Sequence, residues 1–388
     1  FWIVKLSATG AIEWQKTLGG TGNDYFGSVR QTTDGGYFVF GTAGSSNGNV
    51  SGNHGLTDMW AIKLSPAGAI QWQKALGGSN FDGGNDAVQT SDGGFVLAGT
   101  ASSIDGDLSF SLGEKDVWIV KLTAEGATEW SYIFGGDKED VSSSIIQSSD
   151  GGYVVAAFTQ SYNGDVVGTH GGGDSWVLKL SATGLLEWQR TLGGSNSDFP
   201  YSIRLTSDGG YIVAVTTYSN DGQVTGYQGN QDCWVVKLDD SGNITWEKTL
   251  GGSGEDQITG TEQTADGGYI LVAYSNSTNG DVSANLGGED FWVVKLSSGI
   301  TGVDEAAILE SEALSIFPNP AASGLVRITL DREAIPVQAR LTDMSGKLLY
   351  AKNIDPAGYL DVSDLPSGVY TLTVTDQNGI HYSCKMIR

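Results

Sequence analysis

Eleven tryptophans punctuate this chain, and all of them fall on one ruler. Trp2, Trp60, Trp118, Trp176, Trp234 and Trp292 are spaced 58 residues apart. Trp14, Trp72, Trp130, Trp188 and Trp246 follow the first five at a constant offset of twelve. The Asp-Gly-Gly triplets that start at Asp34, Asp92, Asp150, Asp208 and Asp266 keep the same period, as do the Gly-Gly pairs from Gly19, Gly77, Gly135, Gly193 and Gly251. A fixed period of this length marks an array in which each unit buries its apolar face against the next. Residues that recur in every unit are therefore fold residues first.

Within a unit the pattern is that of strands. Taking Asp58 to Thr100 as the unit, Trp60, Ile62 and Leu64 share one face while Lys63 takes the other, the period of two that a strand imposes. Ile70 to Leu76, Ala87 to Thr90 and Phe95 to Gly99 complete a set of four, with a turn at Ser65–Gly68 and a tight hairpin at Asp92-Gly93-Gly94. No segment shows a sustained helical stripe. Four short antiparallel strands per repeat predict an all-β chain, a β-propeller of four-stranded blades over residues 1–297, with a β-helix as the alternative. Five repeats are visible. A sixth opens at Phe291-Trp292-Val293-Val294-Lys295-Leu296, so residues 1–6 and 291–296 are one strand present twice. A five-bladed ring would pair the Trp14 strand with the last three strands and leave residues 1–6 surplus. The expectation is a ring of six to eight blades, in a fragment or processed product whose targeting segment lies upstream of Phe1.

Residues 1–297 hold 14 Lys and Arg against 34 Asp and Glu, a net of −20, and the rest adds 7 − 11 = −4 to give −24. So acidic a surface repels phosphate backbones and excludes nucleic acid as a partner. No apolar run is long enough to span a membrane. Cys233 and Cys384 lie in different domains, and no disulfide is expected between them.

The recurring polar residues divide into structural and candidate functional sets. Lys5, Lys63, Lys121, Lys179, Lys237 and Lys295 are expected to pair with recurring aspartates of the Asp24, Asp82, Asp140, Asp198 and Asp256 column, the alternative being a cationic ring around a channel. Asp58, Asp116, Asp174, Asp232 and Asp290 are expected to cap or turn the backbone. In the long loops, Asp105 and Asp107, with Asp165 and Asp281, alternate around glycine as hard-oxygen candidates for calcium, the alternative being an Asx turn. No cofactor is otherwise expected. His54 and His170 share a loop position where other units carry Leu or Gln, so neither reads as a general base. No triad or zinc spacing is present, and carboxylate pairs recur where a catalytic dyad occurs once. The chain is read as not an enzyme, with loop residues or upstream blades as the remaining route to catalysis.

The segment Lys237 to Trp246 resembles the tryptophan-bearing turn of quinoprotein dehydrogenase propellers, where that turn docks blades; no quinone pocket accompanies it, so the resemblance speaks for the fold alone. Function is expected where the units differ, in the loops Ser45–Thr57, Ser103–Lys115, Ser161–Gly173, Ser219–Gln231 and Ser277–Glu289, all on one rim. Tyr162, Tyr218 and Tyr227, with His54 and His170, are the ligand-binding candidates there, the tyrosines by stacking on sugars or partner side chains.

After an acidic linker over 298–313, residues 314–388 read as a small Ig-like β-sandwich of short strands. Phe317-Pro318-Asn319-Pro320-Ala321, the stretch from Leu341 to Leu349 and the block from Leu360 to Val374 resemble the C-terminal sorting domain of type IX secretion cargo in Bacteroidota. The closing Lys385-Met386-Ile387-Arg388 fits its basic end. The repeats are themselves similar to tandem units of secreted proteins in that phylum. The resemblance implies passage through the outer membrane, recognition by the secretion machinery and its sortase, and release or surface attachment. By match to the motif, Pro318, Asn319, Pro320, Gly346, Gly368, Tyr370 and Lys385 belong to the signal. The expected function is a secreted or surface binding module for a glycan or an extracellular protein, the alternative being a structural or adhesive component.

Overall fold

The computed structural model describes residues 1–298, 314–317, 325–330, 336–343, 348–354, 358–366, 368–376 and 381–387. The chain divides into two compact units, Phe1–Gly302 and Val303–Arg388. Among the described residues every regular element is a strand.

The first unit opens with a two-stranded sheet, β1 (Trp2–Leu6) and β2 (Ile12–Thr17). Four complete antiparallel sheets follow. They are β3 (Asp24–Gln31), β4 (Tyr37–Ala43), β5 (Asp58–Leu64) and β6 (Ile70–Leu76); then β7 (Gly83–Gln89), β8 (Phe95–Ala101), β9 (Asp116–Leu122) and β10 (Thr128–Phe134). The third is β11 (Asp140–Gln147), β12 (Tyr153–Thr159), β13 (Asp174–Leu180) and β14 (Leu186–Leu192), and the fourth β15 (Asp198–Leu205), β16 (Tyr211–Thr217), β17 (Asp232–Leu238) and β18 (Ile244–Leu250). A three-stranded sheet, β19 (Asp256–Gln263), β20 (Tyr269–Ser275) and β21 (Asp290–Leu296), ends the series. Strands are paired in chain order, and the first strands of successive sheets pack on one another.

This frame corrects the sequence unit, which would have put the strands from Asp58 to Thr100 in one sheet. β5 pairs with β4 across the long loop in unbroken seven-residue register, whereas the chain between β6 and β7 crosses to the next sheet. Two carboxylates from adjacent sheets set that crossing. A Cβ on Gly77 would come within 2.7 Å of Asp58 Oδ1 and 2.9 Å of Asp82 Oδ2, so only glycine fits between them. Among the described residues β2 pairs with β1, and no strand pairs with the outer edge of β21.

The two tryptophan sets have different work. Trp60, Trp118, Trp176 and Trp234 are fully buried between sheets. Trp60, Trp176 and Trp234 each donate Nε1 to a β-strand side chain, Gln73, Gln189 and Glu247, at 2.6–2.7 Å. The second set sits at the turn end and locks neighbours together. Trp14 and Trp72 donate to the carbonyls of Pro66 and Ala124 in the next unit, both at 3.0 Å. Gly68, at φ 76°, packs so close that a Cβ would lie 3.0 Å from the Trp14 ring, and Gly242 does the same to Trp188. The quinoprotein-like turn is thus a docking element here too.

The lysines also differ from expectation. Lys63, Lys121, Lys179, Lys237 and Lys295 pair with Asp34, Asp92, Asp150, Asp208 and Asp266 of the Asp-Gly-Gly turns, at 2.8–3.0 Å, and not with the Asp82 column. Lys5 pairs with Glu13 at 3.3 Å. Except at the two ends of the array the ammonium groups are buried in these pairs, so they form no open cationic ring.

In the second unit β22 (Leu314–Phe317), β23 (Leu325–Leu330) and β26 (Tyr359–Asp361) form one sheet. β25 (Leu348–Asn353), β24 (Pro336–Asp343), β27 (Val369–Asp376) and β28 (His381–Ile387) form another. One apolar cluster that includes Val326, Ile328, Leu341, Leu360, Leu372 and Val374 serves both sheets.

Candidate functional site

The start of each first strand, the end of each second and the start of each third lie at one end of their sheet, where the long loops gather. Buried aspartates hold this rim. Asp82 accepts from Gly78 N at 2.8 Å, from Ser102 N at 2.9 Å and from Ser103 Oγ at 2.6 Å, tying loop to crossing. Asp140, Asp198 and Asp256 repeat the bonds from the glycine N–H and the serine hydroxyl, and accept from the Thr159, Thr217 and Ser275 hydroxyls in place of the Ser102 N–H. The aspartates of the cap column accept the backbone N–H four residues earlier, as Asp174 does from His170 N at 2.7 Å.

The alternating loop carboxylates are engaged in the same rim. Asp105 accepts from Ser79 N at 2.7 Å, while Asp107, Asp165 and Asp281 accept from Gly77 N, Gly135 N and Gly251 N at 3.1–3.2 Å. Asn49 and Gln223 make the equivalent bonds in their units. Among the described residues no three His, Cys, Asp or Glu side chains converge in a way that suits a metal ion. His54 Nδ1 lies 2.7 Å from Asp58 Oδ2, and His170 Nδ1 lies 3.4 Å from Asp174 Oδ2. Both imidazoles therefore back onto cap aspartates.

The three loop tyrosines separate. Tyr162 donates to Gly171 O at 3.1 Å and Tyr227 to Asn230 O at 2.6 Å, each within its own loop. Tyr218 joins an aromatic row in which Phe158 and Phe199 stack at 4.4 Å between centroids, and Phe199 meets Tyr218 edge-on at 6.1 Å. Phe199 and Tyr218 line a cleft of about 410 Å³ with Gly172, Asn196 and Ser197. Asn196 Nδ2 donates to Tyr218 O at 3.0 Å, and Ser197 Oγ to Gly172 O at 3.1 Å, which fixes the polar wall. Beside it Tyr201 accepts from Gln257, and burial pushes its phenol upward from the usual tyrosine value. Apolar faces beside a few fixed polar groups are the make-up of a small-molecule cleft.

Phe158, Phe199 and Tyr201 lie on strands and were missed, because strand aromatics read as core. Comparison of the units finds them. Phe199 stands where the other units have Tyr25, Gly83, Val141 and Gln257, and Phe158 where three of the others have threonine. The same comparison exposes a polar relay across the first strands. Arg30 Nη2 reaches Asp86 at 2.9 Å, Asp86 accepts from Ser144 Oγ at 3.1 Å, and Arg204 Nε reaches Glu262 at 3.3 Å.

In the second unit Pro318, Asn319, Pro320 and Gly346 lie outside the described residues. Gly368 is half-buried beside Tyr370, whose hydroxyl donates to Pro366 O at 2.7 Å. Lys385 lies on β28 opposite Thr371.

Residues 315–388 match the family described as Secretion system C-terminal sorting domain. No curated protein matches the chain. Solved structures similar to it include a protein of unknown function from Bacteroides caccae, at 14% identity and TM-score 0.29, over 64% of this chain and 88% of that one. A GH32 β-fructofuranosidase from Bombyx mori, in complex with sucrose, is similar at 13% identity and TM-score 0.34, over 93% and 86%. A PL25 ulvan lyase is similar at 10% identity and TM-score 0.40, over 96% and 81%. The expectation that the chain is not an enzyme is corrected by this company, which includes a glycoside hydrolase and a polysaccharide lyase. Likenesses this distant assign no activity to this chain. The sorting domain makes it an exported protein, carried by the type IX system to the cell surface or the extracellular space. No helix among the described residues is long and apolar enough to cross a membrane.

Proposed function

We propose that the protein is an extracellular recognition module of Bacteroidota type, a β-propeller whose loop rim binds a saccharide, followed by an Ig-like sorting domain. The observation that supports saccharide binding is the Phe199–Tyr218 cleft, where aromatic faces and fixed polar atoms meet at positions that break the repeat. Pyranose rings present C–H faces to aromatic rings and hydroxyls to amide and carbonyl groups, and the cleft offers both. The surplus of acid, −20 over the repeats, favours a neutral sugar over a polyanionic one.

The propeller reading is supported by the two end faces of the array. Phe26, Val29, Phe291 and Val293 are 53%, 40%, 75% and 61% exposed. Their counterparts inside the array, among them Ile258, Ala87, Cys233 and Val235, are buried against a neighbouring sheet. Ring closure would give the end faces the same cover.

The test is a screen of the whole protein against neutral polysaccharides, in calcium and again in EDTA, repeated with Tyr218→Ala. Binding that Tyr218→Ala abolishes is the expected result. A retained signal in that variant moves the site elsewhere, and loss of signal in EDTA brings calcium into it.

A further inference from the structure

We propose that the ligand is a polymer, and that the same rim holds a second saccharide subsite around Phe81, two periods before the first. This rests on the reading of the Phe199–Tyr218 cleft as a saccharide site. Phe81 is 60% exposed, in a column where the other units carry Asn23, Glu139, Ser197 and Glu255. A ring exposed in a column that is polar in every other unit is free to stack on a ligand.

Its surroundings supply one. A cavity of about 240 Å³ opens beside the ring, lined by Thr42, Thr57, Asn85, Thr100 and Ser102 among others. These five are hydroxyls and one amide, and the lining also includes Val141 and Lys115, which is ion-paired with Glu139 at 2.7 Å. Thr42 Oγ1 accepts from Gly84 N at 3.0 Å, which leaves its hydrogen to give. Asn85 Oδ1 accepts from Ser142 Oγ at 3.1 Å, which leaves its Nδ2 hydrogens to give. The backbone of Phe81 is clamped by a parallel bridge to Thr57, with Asp82 N donating to Thr57 O at 2.9 Å. An exposed ring beside hydroxyl and amide groups, with the Lys115 charge taken up by Glu139, suits a sugar better than a charged peptide.

The two cavities are the same place in two units. Phe81 and Ser197, Gly83 and Phe199, Asn85 and Tyr201, Ser102 and Tyr218 are each two 58-residue periods apart. One unit places its aromatic ring at the first of these positions and the other at the remaining three. Both face the same rim, so a single extended chain can lie across both.

The full chain is tested against xyloglucan, laminarin, mannan and starch, with the matching disaccharides and hexasaccharides. The expected result is that the preferred polymer or its hexasaccharide binds about tenfold more tightly than the disaccharide, the upper end of what one extra stacking contact provides. Phe81→Ala removes that length dependence and leaves disaccharide affinity unchanged, while Tyr218→Ala removes disaccharide binding. Phe81 is exposed, so its loss leaves the core intact. If Phe81→Ala binds every length as the wild type does while Tyr218→Ala fails, the second subsite is overturned and the first stands. If Tyr218→Ala binds as the wild type does, or no neutral saccharide binds, both fall.

Discussion

Asp174 and Asp232 are fully buried, yet Oδ1 of each has no hydrogen-bond partner. Burial pushes both carboxyls up to about 6, and the neighbouring Asp198 and Asp256 add to the rise. Unfolded, such groups titrate near 3.8. The folded state therefore holds these protons more tightly, and the stability they contribute is full below about pH 4 and lost as pH climbs through 6. A rise of that size corresponds to roughly 3 kcal/mol for each group. Asp92 works in the opposite sense. The Thr90 hydroxyl, with Gly94 N–H and Lys121, holds it down to about 2 against the effect of burial, so its contribution is present above about 4 and fades toward 2. The thermal midpoint should peak at about pH 4 to 5 and fall toward neutrality. Asp232→Asn, which cannot ionise, should flatten the neutral side of that profile. A variant whose midpoint follows the wild type at every pH would show that Asp232 titrates alike in the folded and unfolded chain. None of this was legible in sequence, where Asp232 is one more loop-end aspartate. Its partner arrives from the next sheet.

At the scale of strands and sheets, period-two alternation and the Asp-Gly-Gly turns placed nearly every strand, because both signals are local. The grouping of strands into sheets was not local. The Ile70 strand is followed by a Gly-Gly pair and then a strand, which looks like one more hairpin; only Asp58 and Asp82, meeting around Gly77, make it a crossing. The lysine partners failed for a related reason. Asp34 and Asp82 recur with the same period, and a period says nothing about which column lies beside Lys63. Burial of the leading tryptophans was legible, and it carries a cost that can be measured. Trp118 is 1% exposed and packs with Phe95, Leu97, Val120 and Leu122. Trp118→Ala should destabilise the repeat unit by about 3–5 kcal/mol. Trp130→Ala, at a half-buried ring, should cost less. Equal denaturation midpoints for wild type and Trp118→Ala would dismiss the inter-sheet core.

For the whole molecule, the sorting domain and the repeats fall in separate compact units. Each has its own apolar clusters, so the fold of the repeats does not draw on the core of the sorting domain. That domain was the most legible part of the chain, because a signal read by other proteins must keep its residues in order. The aromatic cleft was the least legible, because it is assembled from two sheets and shows in sequence only as scattered exceptions to a period. Deleting residues 315–388 in the native gene should therefore abolish export and leave the fold of the repeats intact. The shortened protein should reach the periplasm folded, with its tryptophan fluorescence and thermal midpoint close to those of the repeats in the full chain. It should be absent from the cell surface and the medium. Its affinity for whichever saccharide the full chain binds should be unchanged once it is purified from the periplasm, since Phe199 and Tyr218 belong to the first unit alone. Surface display of the shortened protein would show that export does not depend on residues 315–388, and lost affinity with an intact fold would show that the repeats alone do not make up the binding site.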